Sequence, residues 1–375
     1  MQTPGSPGKG ISTLLVTAAL CVLLDGCGGG DSGTVSLGSS AATTVALVAT
    51  PDATTQVARQ PKLLYSVTDL GLDGSAALDI NDRGAVLFRR GGVPSIYRDG
   101  AVQTLPTGCI QYGNAINDKG DVAGAGSSRP ILYSRGTCHD LGTLGGSFGN
   151  ANDVNRERQV TGAANLAGDA VAHAFLYSDG VMRDLGSFGG ASKGSAINSE
   201  GEVAGTADTS TGSRAFLYRH HVMKDLGTLG GSYSTGNAIN DKGHVVGTSR
   251  LPCSSAPCRP AEPVEHAFIY ADGRMRDLDT LGSWDSVAYG INNSGQVVGF
   301  LTNNDEFEDF RAFVYTDGAM HVVNDFLDDS GAGWTLLWAN AINDSGQIVA
   351  HGAIDRQFGQ IHAVLLTPSR RKGHQ

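Results

Sequence analysis

The chain has 375 residues, a formal net charge of −10, 17% charged and 7% aromatic residues, and 53 glycines. The acidic balance argues against nucleic acid and against anionic lipid as partners. Abundant glycine with almost no helical periodicity argues for an all-β chain with ample apolar material for a core.

Residues 1–26 read as an export signal. Lys9 precedes a fourteen-residue apolar run, Ile11 to Leu24, shorter than the roughly 20 residues a membrane span needs. The run ends in Leu24-Asp25-Gly26-Cys27, which resembles a bacterial lipobox and implies that Cys27 becomes an acylated first residue. Ordinary signal cleavage nearby, with Cys27 an unpaired thiol, is the alternative. Gly28 rather than Asp follows the Cys, and the resemblance to sorted lipoproteins implies an outer-membrane address, periplasmic or surface-facing. Removing the signal deletes Lys9 and Asp25 together, so the mature charge stays at −10. Residues 27–60 are dominated by Gly, Ser, Thr and Ala and read as a flexible tether, because such a composition cannot bury enough apolar surface to order itself.

From 61 to 368 the sequence repeats. Aligned on an Ile-Asn or Val-Asn pair before a polar turn, seven units place the Asn at Asn81, Asn117, Asn155, Asn198, Asn240, Asn292 and Asn343, with steps of 36 to 52 residues. Propeller blades repeat every 40–50 residues or so. Each unit holds four short apolar segments rich in β-branched or aromatic residues, too short for helices and bounded by Gly, Asp or Asn turns. In the "INDKG" turns, Asn and Asp accept backbone bonds and Gly takes the positive φ; Gly84, Gly120, Gly201, Gly243, Gly295 and Gly346 hold that place, with Arg158 in unit three. Unit seven stops after "HAVLL" without its last strand, and the missing strand stands before unit one as Tyr65 to Gly71. The expectation is a seven-bladed β-propeller of four-stranded blades, closed by the N-terminal strand so that no edge is left between first and last blade. A linear solenoid or a sandwich is the alternative. Residues 369–375 form a short basic tail.

The phrases His173 to Gly190, Arg214 to Tyr218, His266 to Gly282 and the "AINDKGHVVGT" run resemble the bacterial extracellular repeat family named for its His-Ala-Phe triplet. The resemblance spans about Leu63 to Leu366 and implies an exported, propeller-forming protein, without deciding an activity. Unit one is degenerate, with Phe88 where other units place Gly.

After Cys21 and Cys27, four cysteines remain, an even count that in an exported chain suggests disulfides. Proximity favours Cys109 with Cys138 and Cys253 with Cys258; a zinc site is the rival reading. His173, Arg214, His266, Arg311 and His362 precede Ala in the repeated triplet position, and Asp140, Asp184, Asp225 and Asp277 recur in the adjoining strand. Arg replaces His freely there, which favours ion pairing within each blade over acid–base or metal chemistry. Asp82, Asp118, Asp241 and Asp344 supply one or two oxygens per turn, against the 6–8 that calcium takes. Asp305, Glu306, Glu308 and Asp309 are denser and form the one candidate acidic site, so no cofactor is expected apart from calcium there. No nucleophile phrase such as G-x-S-x-G is present, and no enzymatic activity is expected.

Binding is motivated by where the repeat changes. Units five and six lengthen the loop between their second and third strands, around Cys253 and Glu306, on one edge of successive blades. Three residues before each aligned Asn stand Asn114, Asn152, Ser195, Asn237, Tyr289 and Asn340, which form a polar ring if that strand is innermost. Phe148, Tyr233, Trp284, Trp334 and Trp338 lie upstream, either stacking on a sugar face or packing between blades. The ligand candidates are therefore Asn114, Asn152, Asn237, Tyr289, Asn340, Trp284, Asp305 and Glu306. The expected function is a monomeric binding or scaffolding module at the cell envelope, for a glycan or an envelope protein, touching membrane only through its lipid anchor. A carbohydrate-active enzyme with channel carboxylates and a purely structural envelope protein are the alternatives.

Overall fold

The structure, a computed structural model, describes residues 63–71, 76–252, 264–283, 285–303, 309–358 and 360–370. Cys27, Cys253, Cys258, Trp284, Asp305 and Glu306 lie outside this set, as do the signal and tether. The described residues form 28 strands in seven four-stranded antiparallel sheets. The first strand of every sheet packs against the first strands of both neighbouring sheets, the seventh against the first included. This is a seven-bladed β-propeller whose first strands surround the axis.

Those innermost strands are Ala76–Ile80, Tyr112–Ile116, Gly145–Val154, Ser192–Ile197, Ser234–Ile239, Asp285–Ile291 and Trp334–Ile342 in blades 1 to 7. Blade 7 takes its outermost strand, Leu63–Asp69, from the N-terminal side of the repeats, antiparallel to His362–Arg370 with Leu63 opposite Arg370. The last strand therefore uses Ser369 and Arg370, the first residues of the expected tail. Tyr65, 1% exposed, anchors the closure in the core of blades 6 and 7, beside Val314, Leu336 and Val364. Asp328 N–H donates to Tyr65 O at 2.9 Å and Val67 N–H to Ser330 Oγ at 2.8 Å, which fixes the strand's free edge.

The recurring triplet explains each blade's interior. Ala174, Ala215, Ala267 and Ala312 are fully buried, as are the following Phe175, Phe216, Phe268 and Phe313. The residue before them faces the fourth strand: His173 lies 3.0 Å from Asp184, His266 2.8 Å from Asp277 and His362 3.0 Å from Asp69, while Arg129 reaches Asp140 at 3.1 Å. Two blades depart from the expected pairing. Arg214 donates to Ser232 O and Arg311 to Ser283 Oγ. Each of Asp69, Asp140, Asp184, Asp225 and Asp277 also accepts the N–H two residues on, so the carboxylate ends its strand, and Asp69, Asp140, Asp184 and Asp277 pair as well. Cys109 and Cys138 form a disulfide with Cα atoms 6.2 Å apart, tying the entry of blade 2 to its outer strand.

Candidate functional site

The innermost strands are not regular. In each blade the ladder to the second strand skips the residue three before the aligned Asn: Leu78, Asn114, Asn152, Ser195, Asn237, Tyr289 or Asn340. Such a bulge re-aims the side chain it carries, so the six residues of the ring read from the sequence fall on six of these bulges, with Leu78 of blade 1 on the seventh. The second strand accommodates the kink with glycine. A Cβ on Gly162, Gly205 or Gly247 would collide with the carbonyl oxygen of Asn150, Lys193 or Thr235. The irregularity, and hence the glycine of the "VVG" phrase, exists to build the channel wall.

Three residues further on comes the aligned Asn, buried in all seven blades. Its Nδ2 donates to the backbone oxygen of its counterpart in the next blade: Asn81 to Asn117 at 2.8 Å, Asn117 to Asn155 at 2.9 Å, Asn155 to Asn198 at 2.9 Å, Asn198 to Asn240 at 3.2 Å, Asn240 to Asn292 at 3.1 Å and Asn292 to Asn343 at 3.1 Å. Asn343 closes the circuit on Asn81 at 2.9 Å. Within its own blade each Oδ1 accepts the N–H four residues on, capping the turn whose glycine, or Arg158, takes positive φ. The sequence showed these residues as turn caps. Their bond to the next blade was not visible there, because its partner stands 36 to 52 residues away, or 262 for the closing pair.

Just outside this circuit a second one guards the same mouth. Asp82, Ser199, Asp241, Asn293 and Asp344 each donate their backbone N–H to a side-chain oxygen of the next blade, at 2.8–2.9 Å. Arg156 fills the gap in blade 3, its guanidinium on Asp118 and, at 2.9 Å, on Asp82. The cavity here is small, about 210 Å³, and its polar groups are already matched to one another. The Asp residues weighed as calcium ligands are hydrogen-bond acceptors of this rim. Among the described residues no three His, Cys, Asp or Glu side chains assemble as a metal site.

The opposite mouth, on the side where the second and third strands are joined, holds about 490 Å³ lined by Leu78, Asn152, Lys193, Ser195, Asn237, Tyr289, Trp338 and Asn340. Four of the expected ligand residues thus meet in one cavity. Asn114 is not part of that lining; its amide donates to Ala151 O at 2.7 Å and to Asn150 Oδ1. Trp338, one of the aromatics weighed for stacking, lines the cavity, and so does Lys193, which the sequence reading misses although it too stands five residues before an aligned Asn. Aromatic rings run on from the cavity between blades 6 and 7: Tyr289 to Phe300 at 5.7 Å, Phe300 to Phe310 at 5.0 Å, Phe310 to Trp338 at 6.0 Å, and Trp338 to His351 at 4.8 Å. Trp334 packs in the blade 7 core, whereas Phe148 is exposed and Tyr233 lies under Arg250.

Two carboxylates break the repeat inside the ring. Where other blades carry Ala115, Ala196, Ala238, Gly290 and Ala341, blades 1 and 3 carry Asp79 and Asp153. Asp79 accepts the N–H of Ile80 and, across the blade boundary, of Ile116, both at 2.8 Å. Asp153 does the same with Val154 and Ile197 at 2.7 Å. Burial, reinforced by the charge of Asp153, pushes Asp79 up to about 7, and burial pushes Asp153 up to about 6. His351, 6% exposed behind Trp338, is pushed down to about 4 by burial and is neutral at pH 7.

No protein-family model matches the chain, and no curated protein matches it. Solved structures share the fold at low identity. The β-propeller domain of the Trilobed protease from Pyrococcus furiosus is 10% identical with a TM-score of 0.47, covering 69% of this chain and 83% of that one. A TolB of Agrobacterium tumefaciens is 12% identical with a TM-score of 0.43, covering 58% and 88%. YCF48 bound to D1 peptide is 11% identical with a TM-score of 0.49, covering 82% and 96%. At such identities the likeness is one of fold alone. Among the described residues no helix is long and apolar enough to cross a membrane.

Two expectations follow. Asn240→Ala strips the buried Asn292 carbonyl, Lys242 N–H and His244 N–H of partners and is expected to cost about 2–4 kcal/mol in urea unfolding. Asn237→Ala removes a single bond at the open mouth and is expected to cost about 1 kcal/mol.

The second concerns pH. Folded Asp79 and Asp153 hold their protons to higher pH than the ordinary carboxyl at 3.8, so their contribution is fully present below about pH 4 and is lost as pH rises through about 6 to 7. His351 acts oppositely, losing stability as pH falls from 6.5 towards about 4, and is common to both proteins compared. Between about pH 4.5 and pH 8, the stability of Asp79→Ala/Asp153→Ala relative to the parent is expected to improve by about 1–3 kcal/mol. A flat difference would show that these carboxyls titrate normally.

Proposed function

We propose that this protein is an exported, lipid-anchored binding or scaffolding module of the bacterial cell envelope, acting as a monomer and taking a glycan or a protein at the loop-side mouth of its propeller. The observation that carries the reading is the contrast between the two mouths. The turn-side mouth repeats one self-satisfying hydrogen-bond scheme around the ring, whereas the loop-side mouth changes chemistry from blade to blade, from Leu78 through Ser195 and Asn237 to Tyr289. Residues that depart from the repeat around a cavity are where a rigid ring acquires recognition. The resemblance to the His-Ala-Phe repeat family and the lipobox-like Leu24 to Cys27 support the address.

A carbohydrate-active enzyme would need carboxylates free to act at the channel. Asp79 and Asp153 commit both oxygens to backbone N–H groups, which favours binding without turnover.

Cell fractionation tests the address. Cys27→Ser is expected to move the protein from the outer-membrane fraction to the soluble one, and unchanged membrane association would overturn the anchor. For the binding site, a thermal-shift screen against glycans, peptidoglycan fragments and envelope-protein peptides is expected to yield a ligand that raises Tm. The shift should be lost in Tyr289→Ala at the loop side and kept in Lys242→Ala at the turn side. The reverse pattern would place recognition on the wrong face.

A further inference from the structure

The side-chain amides of the loop-side cavity are held in one orientation by the neighbouring blades. Asn152 Nδ2 donates to Gly194 O at 2.7 Å, Asn237 Nδ2 to Ala288 O at 2.8 Å, and Asn340 Nδ2 to Ala77 O. Each amide nitrogen faces a carbonyl, so its orientation is fixed by the neighbouring blade. What the ring leaves for a visitor is the amide oxygen, an acceptor, and the second N–H of each amide nitrogen. Asn152 Oδ1 already accepts from Asn150, but among the described residues no donor reaches Oδ1 of Asn237 or Asn340.

This arrangement discriminates by charge. An anion entering the mouth meets the amide oxygens of Asn237 and Asn340 in a chain of net charge −10. A cation meets Lys193, which lines the same cavity and has no ion pair among the described residues. A purely apolar ligand would strip water from the amide oxygens and leave them unmatched. A neutral molecule with many hydroxyl donors and an apolar C–H face fits all three surfaces. Its hydroxyls donate to the amide oxygens and accept from Lys193. Its C–H face lies on Tyr289, 39% exposed, and on Trp338, at the start of the aromatic wall between blades 6 and 7. The cavity, about 490 Å³, is within the range of about 300–1,000 Å³ usual for small-molecule sites.

We infer that the ligand of the loop-side mouth is a neutral oligosaccharide, held by the amide oxygens of Asn237 and Asn340, by Lys193, and by the rings of Tyr289 and Trp338. The inference rests on the binding reading above and narrows it to one ligand class. Lys193 is its filter against cationic saccharides.

Isothermal titration of the intact protein tests this with cellotetraose, maltotetraose and triacetylchitotriose as neutral probes. Deacetylated chitotriose is the cationic probe, trigalacturonate the anionic one, and an envelope-protein peptide mixture the polypeptide control. At least one neutral probe is expected to bind, with both charged sugars at least about tenfold weaker. Tyr289→Ala is expected to weaken binding about tenfold, the loss of one stacked ring, at unchanged Tm. Lys193→Glu, exposed and outside the core, is expected to admit deacetylated chitotriose.

Neutral binding that survives both substitutions would overturn the site. Binding of trigalacturonate, or of chitotriose to the parent protein, with the neutral sugars silent would overturn the charge filter. Peptide binding lost in Tyr289→Ala, with every sugar silent, would overturn the saccharide inference while leaving the binding module standing. Silence of sugars and peptides alike would overturn both.

Discussion

Seven buried amides hydrogen-bond in sequence around the propeller axis, each Asn giving its nitrogen to the backbone of the next blade and its oxygen to its own turn. A buried amide left half-matched costs more than a matched one contributes, and the circuit is matched only when every blade stands in register with its neighbours. Blade 7 reaches that register with its fourth strand borrowed from Leu63–Asp69, so the strand that closes the sheet also secures the last link of the ring. Hydrogen bonds in a closed chain polarise one another in a medium of low polarity, which makes the ring a cooperative unit rather than seven separate caps.

From that constraint follows the asymmetry of the channel. The turn side has to present the same atoms in all seven blades, because each is a donor or acceptor for the next. Even Arg158, where the other turns have Gly, takes the required positive φ, and Arg156 replaces a missing rim acceptor with a guanidinium spanning two carboxylates. The loop side carries no such obligation once its backbone bulge is made. Leu78, Ser195 and Tyr289 replace Asn there without opening the ring, and that freedom lets the mouth become a recognition surface.

The chemistry-bearing residues of the repeat are absorbed by the fold. His173, His266 and His362 steady the outer strands through their carboxylate partners, and those carboxylates in turn end the strands. Asp79 and Asp153 brace pairs of blades where Ala or Gly serves elsewhere, and their burial raises the pH at which they ionise. The loop-side mouth presents few groups to a ligand: the amides of Asn237 and Asn340, one ammonium, and the rings of Tyr289 and Trp338.

The sequence by itself determined the seven units, the four strands of each, the turn chemistry and the offset that closes the ring, because all of these are local or periodic. A phrase of strand, polar turn and strand is written within about ten residues, and its recurrence counts the blades. It also marked the position of Asn152, Asn237, Tyr289 and Asn340, although not the bulge that turns them inward. Only the tertiary structure decided which atom of each amide faces the cavity, since that depends on a carbonyl in the next blade. It alone separated Trp334, packed in the core, from Trp338 at the mouth, and brought Lys193 of blade 4 to the same cavity as Trp338 of blade 7. Periodicity specifies what each blade looks like. Closing seven of them around an axis sets residues from distant blades in one cavity, and no local pattern encodes that distance.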